Sequence, residues 1–129
     1  MIADTMFLSD FLKEKRKGIQ GPASLFIAEN RTIAFRTTII SVAEIAVLFK
    51  SSMEAWEWLR RWKIYQLTTG IAAAAADIDR KLIASGDRLG ENDNWIAGFS
   101  AFYQEPVISH DAAFDRAPRV RRVKYERAV

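Results

Sequence analysis

Pro106-Val107-Ile108-Ser109-His110-Asp111 sets the reading of the fold. A short apolar run behind a proline reads as a buried strand, Val107 to Ser109, and an acid stands just past its end. The same succession of apolar run and acid recurs at Met1-Ile2-Ala3 before Asp4 and at Thr38-Ile39-Ile40-Ser41-Val42-Ala43 before Glu44. Asp93 stands ahead of Trp95-Ile96-Ala97, where a helix begins. If the strands run parallel, these acids gather at one rim, and the crevice beyond the carboxyl ends of such a sheet is where ligands bind. Carboxylates collected there suit a hard cation that takes oxygen ligands.

Outward from that stretch, strand and helix signals alternate without a linker or repeat. Met1 to Ala3 predicts a short buried strand. Thr5 to Lys17 predicts a helix with Met6, Phe7, Leu8, Phe11 and Leu12 on its apolar side and a cationic end from Lys13 to Lys17. Gly18 and Gly21-Pro22 break it. Ala23 to Glu29 predicts a second helix, Phe35 to Ser41 a Thr- and Ile-rich strand, and Ala43 to Phe49 the next helix. Met53 to Lys63 carries Trp56, Trp58, Leu59 and Trp62, a broad apolar arc that reads as a buried helix, with a partner-facing side as the alternative. Ile71 to Ser85 is amphipathic, with Ile71, Ala75, Ile78 and Leu82 in one stripe, an Asp77 to Lys81 pair outside and Gly86 as its stop. Glu91 to Tyr103 predicts another helix, and Val120 to Val123 a last strand alternating with arginines. This order predicts an α/β fold, a single domain over residues 1–129 whose parallel sheet is flanked by helices.

Composition narrows the chemistry. At 129 residues the chain suffices for one domain burying roughly two-thirds of its unfolded surface. Half its residues are hydrophobic and 27% are charged, the profile of a folded globular protein. The absence of cysteine excludes disulfides, thiolate zinc sites and cysteine nucleophiles, leaving oxygen ligands, hydroxyls or the lone His110. The N-terminus has no basic leader, and the apolar run Ile71 to Ala76 is far below the roughly 18 residues of a membrane span. A cytoplasmic location without a membrane partner is therefore expected. The net charge of +3 is uneven, because Arg116, Arg119, Arg121, Arg122, Lys124 and Arg127 crowd the C-terminal end. Such a patch suits phosphate backbones; a solvated edge strand guarded by cations is the plainer alternative.

Each acid also has an ordinary structural reading. Asp4, Asp93 and Asp111 precede or open helical turns, where Asp serves as an N-cap or as a charge near the positive end of the helix dipole. Ser41-Val42-Ala43-Glu44 fits a capping box in which Glu44 reaches back to the Ser41 amide. Their joint placement, not any single residue, points to a site. In Ser109-His110-Asp111, alternation turns His110 away from whatever Ser109 and Asp111 face. No glycine-rich elbow surrounds Ser109, which argues against a serine nucleophile.

The stretch Gly90-Glu91-Asn92-Asp93-Asn94-Trp95-Ile96-Ala97-Gly98, followed by Pro106 to Asp115, resembles the third and fourth motifs of the PIN-domain ribonucleases, especially the VapC-like toxins. Ala3-Asp4-Thr5-Met6-Phe7-Leu8 resembles the family's first motif and Ile40-Ser41-Val42-Ala43-Glu44-Ile45 its second, so the similarity spans nearly the whole chain in order. The resemblance implies a PIN-like domain acting as a Mg²⁺- or Mn²⁺-dependent endoribonuclease that leaves 3′-hydroxyl and 5′-phosphate ends. Carried over, Asp4, Glu44, Asp93 and Asp111 form the catalytic and metal-binding acids, with Thr5 and Ser109 as supporting hydroxyls. It further implies a homodimer held inactive by a small DNA-binding antitoxin. Two departures stand out. Met6 replaces the family's usual Asn or Ser, which favours the alternative of a catalytically impaired RNA-binding or scaffold protein, and Gly98 replaces an Ala. A third possibility is an unrelated α/β domain whose acids are all helix caps. Asp115 and Glu91 are further acids nearby, expected to be solvated.

Overall fold

The apolar pairs Ile2-Ala3 and Val107-Ile108 lie side by side in the middle of a five-stranded sheet, all four residues wholly buried. In this computed structural model, which describes residues 1–127, β1 (Ile2–Ala3) pairs in parallel with β4 (Val107–Ile108) on one side and with β2 (Arg36–Thr38) on the other. The edges are β3 (Lys63–Tyr65) and β5 (Arg122–Val123), giving the order β3-β2-β1-β4-β5 with every pairing parallel. Strands covered on both faces read as unbroken apolar runs, which is why such short segments were legible.

The chain winds outward from β1 through α1 (Thr5–Lys17), α2 (Pro22–Glu29), β2, α3 (Ile39–Ala46), α4 (Ser52–Leu59) and β3. It then returns through α5 (Thr69–Ser85) and α6 (Glu91–Tyr103) to β4, on the other side of β1. Alternate side chains of the central strands feed three core clusters, the smallest formed by Ile2 with Ile71 and Phe99. Ala3 and Ile108 join Phe7, Leu8, Ile45 and Leu59, whereas Val107 joins Ile78, Leu82, Ile96 and Phe114. The reversal of winding between β1 and β4 is a topological switch point, and it opens a crevice past their carboxyl ends.

Several boundaries differ from the sequence expectation. The predicted strand Phe35 to Ser41 is strand only over Arg36–Thr38, and the helix predicted from Ala43 begins at Ile39 and ends at Ala46. The cause is Thr38, whose side chain accepts the Ser41 amide at 3.2 Å and caps the helix, drawing β-branched Ile39 and Ile40 into it. Ser41 is therefore inside α3, and Glu44 is not its capping-box partner. Met53 to Lys63 splits into α4 and the edge strand β3, which was not expected. Asp77 pairs with Arg80 at 2.8 Å in place of Lys81. Gly98 is required as well as tolerated: a Cβ there would lie 2.7 Å from the Ala75 Cβ and 3.0 Å from its Cα, so α5 and α6 approach too closely for alanine. Gly86 ends α5 with φ 74°, a left-handed conformation that side chains disfavour. Among the described residues no helix is long and apolar enough to cross a membrane.

Candidate active site

The crevice beyond β1 and β4 is built from the residues that follow those strands and from two helices that end or start there. Asp4 follows β1 and caps α1, its Oδ1 accepting the Phe7 amide at 2.8 Å, and it is 3% exposed. Ser109 follows β4, is wholly buried, and hydrogen-bonds the Asp4 carboxylate through its side chain. The same Oγ accepts the Asp111 amide at 3.0 Å. Asp111 in turn accepts the Ala113 amide at 2.8 Å and opens a 3₁₀ turn, Ala112–Arg116. Glu44, on α3, accepts the Thr5 hydroxyl at 2.7 Å, and Thr5 Oγ1 lies 3.0 Å from the buried Ser41 hydroxyl. Asp93 sits in the first turn of α6. Helix starts lie at the carboxyl end of a parallel sheet because each helix runs back against the strands it connects. The cap readings of Asp4 and Asp111 are thus correct, yet they do not scatter the residues.

Electrostatics binds the set together. Burial pushes the Asp4 carboxyl up to about 6, against the hydrogen bonds from Ser109 and Phe7 and with added repulsion from Asp93 and Asp111. Burial also raises Asp93, and there the charges of Asp111 and Glu44 add to it. Each acid therefore lies within the field of at least one other. Among the described residues none of the four is in an ion pair. No three carboxylate or histidine groups there stand near enough to one point to ligate an ion together. The donor set, oxygen only, fits a cation that keeps several waters and takes one or two carboxylates directly, as Mg²⁺ does.

The other residues singled out from the sequence fall elsewhere. His110 is exposed, with its ring 6.4 Å from that of Tyr125. Met6 is half-buried in the first turn of α1, and Glu91 is exposed at the start of α6. Within the C-terminal basic patch, Arg116, Arg119, Arg121 and Arg122 divide. Arg116 donates to the carbonyls of Asp87 and Arg88, and Arg122 grips Asp115 and the Ser109 carbonyl. Arg119 and Arg121 are exposed, their side chains without hydrogen bonds to the described residues, and border a cavity of about 290 Å³ with Gln104 and Pro106 at the amino end of β4, the edge opposite the acids. Ser41 joins the site although its sequence pattern points to a helix cap, and Arg122 supports the site although nothing in an alternating strand announces its partner.

No family model and no curated protein matches the sequence. Solved structures do match the fold. A chain of VapBC2 from Rickettsia felis, determined bound to a DNA fragment from its promoter, superposes with a TM-score of 0.76 at 15% identity, covering 97% of this chain and 98% of that one. For VapBC-1 from nontypeable Haemophilus influenzae the TM-score is 0.74 at 19% identity, with 95% and 96% covered. VapBC-5 from Mycobacterium tuberculosis is 27% identical over 70% of this chain and 81% of that one, with a TM-score of 0.59. In fold, this chain is similar to chains of these VapBC complexes, an α/β domain of PIN-like architecture.

Proposed function

We propose that the chain is the toxin of a toxin–antitoxin pair, an endoribonuclease dependent on Mg²⁺ or Mn²⁺. The observation that supports this reading is that Asp4 feels the charges of Asp93 and Asp111, and Asp93 those of Asp111 and Glu44, at the switch-point crevice, with no cation among the described residues in an ion pair with any of the four. One or two of these carboxylates would hold the ion directly, and the others only through its waters. When bound, such an ion lowers the pKa of a coordinated water and offsets charge on a phosphodiester. The chain's own part is orientation: Ser109 fixes Asp4 and Asp111 relative to each other, and Thr5 fixes Glu44. Of Arg116, Arg119, Arg121 and Arg122, proposed to meet RNA phosphates, Arg119 and Arg121 have exposed side chains without hydrogen bonds to the described residues, though at the edge opposite the acids.

A small DNA-binding antitoxin is the proposed partner, since the structural neighbours are toxin–antitoxin complexes. The surface offers it a cavity of about 550 Å³ whose walls include Phe11, Ile27, Phe35, Trp58 and Trp62, with Lys15 and Arg61 also lining it. A homodimer is proposed from the family resemblance alone. The rival reading, a PIN-fold binding or scaffold protein without cleavage, is favoured by Met6 and by the fact that, among the described residues, no three carboxylates stand near enough to one point to ligate an ion together. Incubation with a structured RNA separates the two: Mn²⁺-dependent cleavage that EDTA and Asp111→Asn both abolish is expected, and binding without cleavage at millimolar Mn²⁺ would favour the rival.

A further inference from the structure

Arg122 is the most fully engaged guanidinium near the crevice. Its Nε and Nη2 each donate to one carboxylate oxygen of Asp115 at 2.9 Å, and Nη1 donates to the Ser109 carbonyl at 3.1 Å. Its side chain is only 12% exposed, while that of Asp115 is 55% exposed. A planar fork makes this three-point grip, which a lysine ammonium does not reproduce. Asp115 belongs to the 3₁₀ turn that Asp111 opens, and Arg122 lies on the edge strand opposite Val107. One side chain thus ties the end of β4 to the turn that follows it.

That strand end is where two of the acids are set. The Ser109 amide donates to the Val123 carbonyl at 3.1 Å, its Oγ accepts the Asp111 amide, and its side chain hydrogen-bonds Asp4. A displacement of Ser109 therefore moves the supports of Asp4 and Asp111 together. Building on the nuclease reading above, we propose that Arg122 and Asp115 form a positioning pair that fixes the Ser109–Asp111 strand end, and with it the spacing of Asp4 and Asp111 for a divalent cation. A bare cation beside this cluster would repel the ion it is meant to take; Asp115 offsets that charge, so the pair contributes geometry with little net field. An RNA phosphate would have to displace Asp115 to reach the fork.

The test uses Asp115→Asn, Arg122→Lys and the double variant of the full chain, with three measurements. Amide hydrogen exchange is expected to quicken about tenfold or more at Asp111 and Ala113, the donors to Ser109 Oγ and Asp111 Oδ1, while Phe99 in the core of α6 keeps its rate. Calorimetric titration with Mn²⁺ is expected to show about tenfold weaker binding in each single variant and no further loss in the double. RNA binding without metal, followed over a salt series, is expected to be unchanged. Unaltered exchange at Asp111 and Ala113 in Asp115→Asn, a solvent-facing change that leaves the fold intact, would overturn the proposal. So would an RNA affinity and salt slope that fall in Arg122→Lys but not in Asp115→Asn, which would mark Arg122 as a phosphate contact. The exchange rates decide the clamp by themselves; a parent protein that takes up no Mn²⁺ overturns the nuclease reading separately.

Discussion

Asp4 and Asp10 belong to the same helical segment, and the fold treats them in opposite ways. Asp10 accepts the Tyr125 hydroxyl at 2.7 Å and a bidentate grip from Arg127 at 2.7 and 2.9 Å. Burial works against its charge, but the bonds from Arg127 and Tyr125 hold its carboxyl below the ordinary range. Asp4 is more deeply buried, forms no ion pair among the described residues, and is pushed by burial up to about 6. The same contrast separates Asp79 and Asp115, each gripped by an arginine, from Asp93. Among the described residues, guanidinium partners hold Asp10, Asp79 and Asp115, while the four crevice acids have no ion pair. Leaving buried, mutually repelling carboxylates unpaired is costly for folding, and a bound cation of the kind proposed would relieve that cost.

The largest expected effect tests the cost directly. The Asp4 carboxyl is raised from 3.8 to about 6, so the folded protein binds a proton that the unfolded chain has released. The penalty is absent near the lower value, grows as pH rises through the interval, and is complete above the upper one, reaching about 3 kcal/mol. Asp4→Asn keeps the cap on Phe7 and removes that penalty. Urea unfolding in EDTA should therefore show the variant more stable than the parent by up to about 3 kcal/mol at pH 7 and indistinguishable near pH 4. A pH-independent difference would break the contrast.

Asp10→Asn should do the reverse. It leaves the Tyr125 hydroxyl and Arg127 without their charged acceptor, a loss of about 2 kcal/mol at neutral pH. A depressed carboxylate stabilises above its unfolded pKa and loses that contribution as pH falls through the folded value, so the difference between parent and variant should shrink in acid. Denaturant midpoints at neutral and acid pH measure it. A smaller effect concerns the element that carries Asp93. Gly98→Ala gains helix propensity but drives a methyl into Ala75, and a net loss of about 1 kcal/mol is expected, read as a lower Tm in EDTA. A gain in Tm would mean that α5 and α6 yield easily and that Asp93 is loosely placed.

Much of this was legible in the sequence because the central strands are buried on both faces and announce themselves as apolar runs, and because α1 and α6 carry long, uninterrupted helical patterns. Their limits were read without error at Thr5–Lys17 and Glu91–Tyr103. The β3 strand was not legible: three residues at an edge, one of them an exposed lysine, leave no period to detect. The start of α3 was misread because propensity favours strand at Ile39 and Ile40, and the Thr38 cap overrides it. In the site, the acids could be named from their position after apolar runs. What joins them could not, since Thr5 to Glu44 and Arg122 to Ser109 are contacts between residues far apart in the chain.

The most direct test of the central claim, that the crevice acids are left unpaired in order to take a divalent cation, is the melting temperature of the parent and of Asp93→Asn, each in EDTA and in millimolar Mn²⁺. Removing one repelling charge should leave the Tm in EDTA equal or higher, because Asp93 is raised by burial and by Asp111 and Glu44. Mn²⁺ should raise the parent's Tm through linkage and raise that of the variant far less. If Asp93 is only a charge at a helix start, the substitution should lower both melting temperatures alike, by the equivalent of a few tenths to about 1 kcal/mol with or without metal. That equal loss would contradict the assignment.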